Sequence, residues 1–244
     1  MQLSKRLLAV ASLVTPNNRV VDVGCDHAYT SIYLVENNII PYAIAMDINQ
    51  GPIDRARENI KKYGFEARID ARKSTGLEKL SVGEADTILI AGMGGALTIQ
   101  ILSEQLEVVK AARELVLQPQ SEIHLVRRML HDNGFFITKE NMIKDDGKYY
   151  VMMKAEDMAL VKDKEAYDLT KKEHFYYGRI LLEQQHPILS EFLLRELRLC
   201  ENLYRVLVAE PTQNSILRQK EIMDKIELIE QGLRYYQVIE KLKK

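Results

Sequence analysis

Apolar residues follow two rhythms along this chain. Between about residues 19 and 155, short continuous apolar runs alternate with stretches of helical spacing. Val20, Val21 and Val23 make the first run, and residues 42–46, 87–91 and 115–117 make three more, with a further strand expected over 67–72. Runs this short, rich in branched residues, predict strands buried on both faces. Between them, Leu3, Leu7, Leu8, Ala11 and Val14 recur at helical spacing over residues 3–14, with Lys5 and Arg6 off the stripe and expected in solvent. Further helices are predicted over 28–38, over 96–110, and from Gly51-Pro52 to Gly64, the last burying Ile53, Ala56, Ile60 and Tyr63. Ser121 should cap another helix that Asn133-Gly134 ends. Residues 135–142 and 149–155, joined through Asp145-Asp146-Gly147, read as a hairpin that completes a seven-stranded α/β unit.

Past about Ala155 the alternation stops and helical spacing takes over. Leu193, Leu197, Cys200, Tyr204 and Leu207 follow Pro187 at heptad-like intervals, and Ile222, Ile226, Ile229, Leu233 and Tyr236 repeat them after Pro211. This predicts an antiparallel helical hairpin, with domains at 1–157 and 158–244. The hairpin is only mildly basic, which leaves a structural coiled coil, a dimer seam and an RNA-binding arm all open.

Composition narrows the classes. At 46% apolar residues the chain can fill a proper core, and a net charge of −1 gives no global field for nucleic acid. The two cysteines, Cys25 and Cys200, have no metal-ligand spacing and suit a reduced, cytoplasmic setting. No stretch is long enough to span a membrane.

The candidate chemistry gathers around residues 19–30, R-V-V-D-V-G-C-D-H-A-Y-T. A strand, a Gly-containing turn and a helix start bring a ligand close to the backbone. The turn lacks the G-x-G-x-x-G of dinucleotide enzymes, because Asp26 and Tyr29 stand where its second and third glycines would be. The Asp26 carboxylate repels a pyrophosphate and attracts an ammonium or sulfonium group, which points to S-adenosylmethionine. Asp47 ends the second strand 25 residues beyond Asp22, a spacing suited to a ribose-binding acid. The competing role is a helix cap, for which Asn49 is better placed. Gly92-Met93-Gly94-Gly95 after the fourth strand is a second sign of close backbone approach, and Gln118-Pro119 leaves an amide at the edge of the fifth.

Taken together, D-V-G-C-D-H-A-Y, A-M-D-I-N, A-G-M-G-G and V-L-Q-P resemble the bacterial tRNA (adenine-22, N1)-methyltransferases of the TrmK type, over essentially the whole chain. The resemblance implies a Rossmann-like class I methyltransferase domain that uses S-adenosylmethionine, with a C-terminal coiled-coil hairpin that helps hold tRNA. It puts Asp22, Gly24, Cys25 and Asp26 around the methionine part of the cofactor and Asp47 with Ile48 at the ribose. It sets Thr75 and Gly76 beside the adenine, and Ala91, Gly92 and Met93 on the floor. Related sequences often read G-D-G-L where this chain has Ser74-Thr75-Gly76-Leu77, so the acid that meets the adenine amino group is missing. Asp26, His27, Tyr29 and Gln118 are the candidates for the catalytic step. His27 could equally cap a helix, and Tyr29 could be a core residue. The expected chemistry is direct in-line attack by the unprotonated ring nitrogen, with no strong base. An Ala91–Gly95 turn without polar side chains favours N1 over the exocyclic amine. Two rivals are a small-molecule or protein methyltransferase with a dimerising hairpin, and a non-catalytic RNA-binding scaffold. The expected state is a monomer or weak dimer.

Overall fold

The computed structural model describes residues 1–209 and 213–236, which fall into two compact units, Met1–Asp168 and the residues from Leu169 onward. The first unit holds seven strands: β1 (Val20–Val23), β2 (Ala43–Asp47), β3 (Ile69–Lys73), β4 (Thr87–Ala91), β5 (Glu114–Gln118), β6 (Phe135–Asp145) and β7 (Lys148–Asp157). They form one sheet in the order β3-β2-β1-β4-β5-β7-β6. β1 to β5 are parallel, and β7 runs antiparallel between β5 and β6. Val20, Val21 and Val23 are at most 3% exposed, so continuous apolar runs do become strands covered on both faces. Each such side chain contributes about 1.5–3 kcal/mol of burial. Chain order reverses at β1: β2 and β3 lie to one side of it, β4 and β5 to the other. A crevice opens at the carboxyl ends of strands at such a switch point.

The helices of this unit are α1 (Lys5–Ala11), α2 (Tyr29–Glu36), α3 (Gln50–Tyr63), α4 (Gly95–Glu104), α5 (Leu106–Ala111) and α6 (Ile123–Asp132). Three depart from what local pattern predicts. α1 begins at a Ser4 cap, whose hydroxyl accepts from Leu7 N at 3.3 Å, and it leaves Leu8 exposed. The helix expected over 96–110 breaks at Gln105, where φ −125° and ψ 44° are not helical. Ser121 does not cap α6, whose N-cap is Glu122 in a left-handed conformation with no side-chain cap bond. Its hydroxyl instead accepts from Gly95 N, 26 residues away, at the start of α4. α3 follows its pattern: Ile53, Ala56 and Ile60 are buried, and Gly64 closes it at φ 74°. The β6–β7 turn puts Asp146 and Gly147 at φ 48° and 73°, as a two-residue hairpin of this twist requires.

The second unit contains α7 (Lys172–Tyr177), α8 (Arg179–Glu183), α9 (Pro187–Ala209) and α10 (Gln213–Arg234). α9 and α10 run antiparallel, pinned by Lys225 Nζ to Glu196 at 2.9 Å and Gln219 Nε2 to the Leu207 carbonyl at 2.9 Å. Leu189, Leu193 and Cys200 of α9, and Ile222, Ile229 and Leu233 of α10, are buried; Leu197, Tyr204, Leu207 and Ile226 are half-buried. Pro211, expected at the turn, lies outside the described residues. The units meet in sequence at Asp168 rather than Asp157, because Met158 N donates to the Gly134 carbonyl and His131 Nε2 lies 3.0 Å from the Asp168 carboxylate. No helix among the described residues is long and apolar enough to cross a membrane.

Candidate active site

The crevice begins where β1 stops. Gly24 has φ 75°, and both Gly24 N and Cys25 N donate to the Met46 carbonyl, at 2.8 and 3.0 Å. Two further residues of the turn, Asp26 and Ala28, are left-handed at φ 48° and 56° although neither is glycine. Each such conformation costs about 1–2 kcal/mol, and the turn holds them because α2 must start at once against the sheet. At Gly24 the positive φ is what favours glycine; a Cβ there would also displace the Met93 methyl, the movable end of a flexible side chain, from the floor of the crevice.

A cleft of about 300 Å³ runs from Gly24 along the strand ends. Asp47 and Ile48 lie on the β2 side; Thr75 and Gly76, after β3, form the far end; Ala91, Gly92 and Met93 form the β4 side. Leu97, Gln100 and Ile101 of α4 close it over, and these three carry no sequence signal beyond a helical pattern. Asp47 Oδ1 accepts from Asn49 N at 2.9 Å, while Oδ2 has no partner among the described residues. Asn49 has the backbone of an N-cap but makes no side-chain cap bond, so the division of labour expected between the two residues is not the one observed. One Asp47 oxygen organises the turn, and the residue lines the cleft.

A smaller hollow of about 110 Å³ shares Gly24 and Ala91 with the cleft. It is lined by Asp22, Cys25, Asp26, His27, Tyr29 and Arg6. Asp22 is 5% exposed and accepts from Ser31 Oγ at 3.0 Å. Burial pushes its carboxyl up to about 6, against the opposing hydrogen bonds from Ser31, with a smaller push from Asp47. Burial also raises the Cys25 thiol, with Asp22, Asp47 and Asp26 adding to the effect, so this sulfur is an uncharged wall rather than a nucleophile. Asp26 pairs with Arg55 Nη2 at 2.9 Å, and His27 Nε2 stands 3.6 Å from its other oxygen. The His27 and Tyr29 rings are stacked, centroids 5.1 Å apart and planes 8° from parallel. Tyr29 is 39% exposed, so it is no core residue, and the pair presents a flat aromatic face at the mouth of the hollow.

Gln118 does not line either space. It is 1% exposed, and both ends of its amide are engaged: Nε2 with the Pro119 carbonyl at 3.2 Å, Oε1 with Arg6 Nη1 at 2.7 Å. It reaches the site through Arg6, a residue expected in solvent. A signal for Arg6 did exist. It lies three residues after Leu3 and four before Val10, both buried, and so on the inward face of α1.

The donor set fits a nucleoside with a charged amino-acid tail. It offers a carboxylate at the end of β2, glycines at the ends of β1 and β4, and acids beside a cation at the tail end. A doubly wound sheet of this order with such a crevice defines a class I S-adenosylmethionine-dependent methyltransferase.

The comparisons give the finer assignment. A methyltransferase-domain family model matches residues 3–153. The tRNA (adenine(22)-N(1))-methyltransferase of Bacillus subtilis is 33% identical over 235 residues, 95% of this chain and 97% of that protein. The crystal structure of the B. subtilis m1A22 tRNA methyltransferase TrmK superposes with a TM-score of 0.84 at 31% identity, covering 95% of this chain and 99% of that one. M. capricolum TrmK, solved with S-adenosylhomocysteine, gives 0.80 at 26% identity over 96% and 99%. The chain belongs to the tRNA (adenine(22)-N(1))-methyltransferase family.

Proposed function

We propose that this chain methylates N1 of an adenine in tRNA, position 22 by its relatives' name, with S-adenosylmethionine as the methyl donor. The observation that carries the reading is the joining of two spaces at Gly24 and Ala91: a nucleoside-sized cleft and a polar hollow with an aromatic face at its mouth. The cofactor, when bound, supplies an electrophilic methyl group on a sulfonium. The chain's own residues hold and orient. Asp47 accepts from the ribose hydroxyls beside Ile48. Thr75 and Gly76 flank the adenine, where Thr75 offers only a hydroxyl to the amino group. Asp22, Gly24, Cys25 and Asp26 surround the methionine end.

Adenine N1 carries an in-plane lone pair and is unprotonated at neutral pH, so no residue has to remove a proton before in-line attack. Positioning does most of the work. Because N1 lies on the pairing edge, the base must leave its stack, and the His27–Tyr29 face is suited to receive it. Methylation leaves the ring cationic, and the Asp26 carboxylate favours that charge. The turn Ala91–Gly95 has no side-chain acceptor for an exocyclic amine, which favours N1 over N6. The helices after Asp168 serve as the arm that holds tRNA.

The test is transfer of tritium from labelled cofactor to unmodified tRNA, followed by nucleoside analysis without alkaline treatment. The expected product is 1-methyladenosine. N6-methyladenosine as the first product would overturn the acceptor assignment, and label on metabolites but not on tRNA would favour the small-molecule rival.

A further inference from the structure

The helical unit has a cavity of its own, of about 420 Å³, whose described lining residues run from Lys172 to Leu228. Its floor is apolar: Tyr177 of α7 and Leu228 of α10 are buried, and Phe192 of α9 is half-buried. Gly232 lets the Tyr177 ring lie against α10, since a Cβ there would come within 3.1 Å of it. The Tyr176 ring forms a wall. It is 41% exposed, its centroid lies 6.4 Å from that of Tyr177, and its plane is tilted by 60°. Most of the charges around the cavity are paired: Glu196 accepts from Lys225 at 2.9 Å and Glu221 from Arg218 at 2.5 Å. Two are not. The Lys172 ammonium lies 6.0 Å from the Tyr176 ring centre with no carboxylate on it, and Asp224 has no hydrogen bond or ion pair among the described residues.

We propose that this cavity receives an unpaired guanine of the substrate tRNA: the base stacks on Tyr176, its pairing edge donates to Asp224, and Lys172 meets a neighbouring phosphate. This rests on the reading of these helices as the arm that holds tRNA. A cavity of this volume is large enough for a nucleoside, and unstacked RNA bases are recognised by aromatic faces together with hydrogen bonds to the pairing edge. An ionised carboxylate can only accept. Guanine sets two adjacent donors against its two oxygens, N1–H and the N2 amino group. Adenine, cytosine and uracil each put an acceptor beside their donor on that edge, and the carboxylate repels it. An arginine side chain of a protein partner could also stack on Tyr176 and pair with Asp224. It fits less well, because Lys172 repels a guanidinium and attracts a phosphate.

The experiment is fluorescence-anisotropy binding of three short labelled oligouridines to the full chain, with a single central guanosine, inosine or adenosine. Inosine keeps N1–H and lacks the N2 amino group. The wild-type chain should bind the guanosine strand about 10-fold tighter than the other two, the order expected for one charge-assisted hydrogen bond. Asp224→Asn should remove that preference. Tyr176→Ala should weaken all three strands about 5- to 100-fold, and Tyr176→Phe should restore them. Both side chains are exposed, so neither change threatens the fold. With tRNA as substrate, Asp224→Asn and Tyr176→Ala should raise KM and leave kcat and S-adenosylhomocysteine affinity as they are. Equal wild-type binding of the guanosine and inosine strands, or a preference that survives Asp224→Asn, would overturn the proposal. Saturable binding of N-acetylarginine amide that Asp224→Asn abolishes, with no preference among the strands, would overturn it in favour of a protein side chain. The strands are read without cofactor or turnover, so a guanosine preference in a chain that transfers no methyl group to tRNA would support the guanine site and remove the methylation reading alone.

Discussion

At the scale of single residues, the site is built from side chains that cost stability where they stand. Asp22 is the plainest case. It sits inside β1 between two parallel strands, and burial raises its carboxyl to about 6 from the usual 3.8. A carboxyl whose folded value is raised binds its proton more tightly in the native state than in the unfolded chain. Stability therefore falls as pH rises from about 4 to about 6, and the cost is fully present above that window. Two units correspond to on the order of 2–3 kcal/mol. Asp22→Asn keeps an acceptor for Ser31 Oγ and removes the charge. We expect the variant to match the wild type near pH 4 and to exceed it by roughly that amount at pH 8, as read by urea unfolding at the two pH values. An equal difference at both would mean that Asp22 is not the group that titrates. The same placement that costs stability puts a carboxylate in the hollow that Gly24 also lines, where the proposed function sets the methionine end of the cofactor.

At the scale of elements, the site depends on how two helices begin rather than on their interiors. α4 starts at Gly95 with no capping side chain of its own. Its first amides are met from the segment leading into α6: Ser121 Oγ accepts from Gly95 N at 3.2 Å and Glu122 Oε2 from Ala96 N at 3.0 Å. That close approach leaves no room at Gly95. An added Cβ would strike the Ser121 carbonyl oxygen and come within 2.9 Å of the Glu122 Cβ. Gly95→Ala should thus destabilise the fold by about 1–3 kcal/mol, the usual cost of forcing backbone apart. It should also weaken cofactor binding by displacing the α4 wall of the cleft. Gly51→Ala is the control, since its Cβ would meet only the flexible end of Arg55 at 3.4 Å within α3. Gly51 stands in the first turn directly before Pro52, where crowding of a Cβ against the proline ring offsets the gain in helix propensity, so stability should change by less than about 0.5 kcal/mol. Thermal unfolding of the two variants decides the matter: a loss at Gly51 as large as that at Gly95 would show that the close approach to Ser121 is not what makes a side chain costly at Gly95.

At the scale of the whole molecule, the sheet, both spaces of the site and α1 to α6 all belong to Met1–Asp168. A fragment ending at Asp168 should fold, bind S-adenosylhomocysteine as tightly as the full chain and methylate tRNA poorly. A fragment ending at Asp157 loses the Met158-to-Gly134 hydrogen bond and the His131–Asp168 pair, so it should unfold at a lower temperature. Calorimetry and tritium transfer on both fragments test this. Full tRNA activity in the Asp168 fragment would deprive the helical hairpin of a role in substrate binding.

What the sequence by itself determined follows from distances along the chain. A strand announces itself within five residues and a helix within about ten, because their periods are set by local backbone geometry. Hence β4 was legible to the residue, α3 to its closing glycine, and Gly24 and Asp47 as residues at strand ends. The motif could separate a sulfonium-binding turn from a pyrophosphate-binding one, since only the charge at Asp26 was needed. The tertiary structure decided every pairing between distant parts. Arg6 and Gln118 are 112 residues apart, Ser121 and Gly95 are 26 apart, and Asp26 and Arg55 are 29 apart. No local period encodes which side chain meets which across a sheet. That depends on the strand order, which brings β1, β4 and β5 side by side and carries α1 to the mouth of the site. Arg6 was therefore visible as a cation on a helix, but its place in a polar hollow could be known only once the sheet had folded around it.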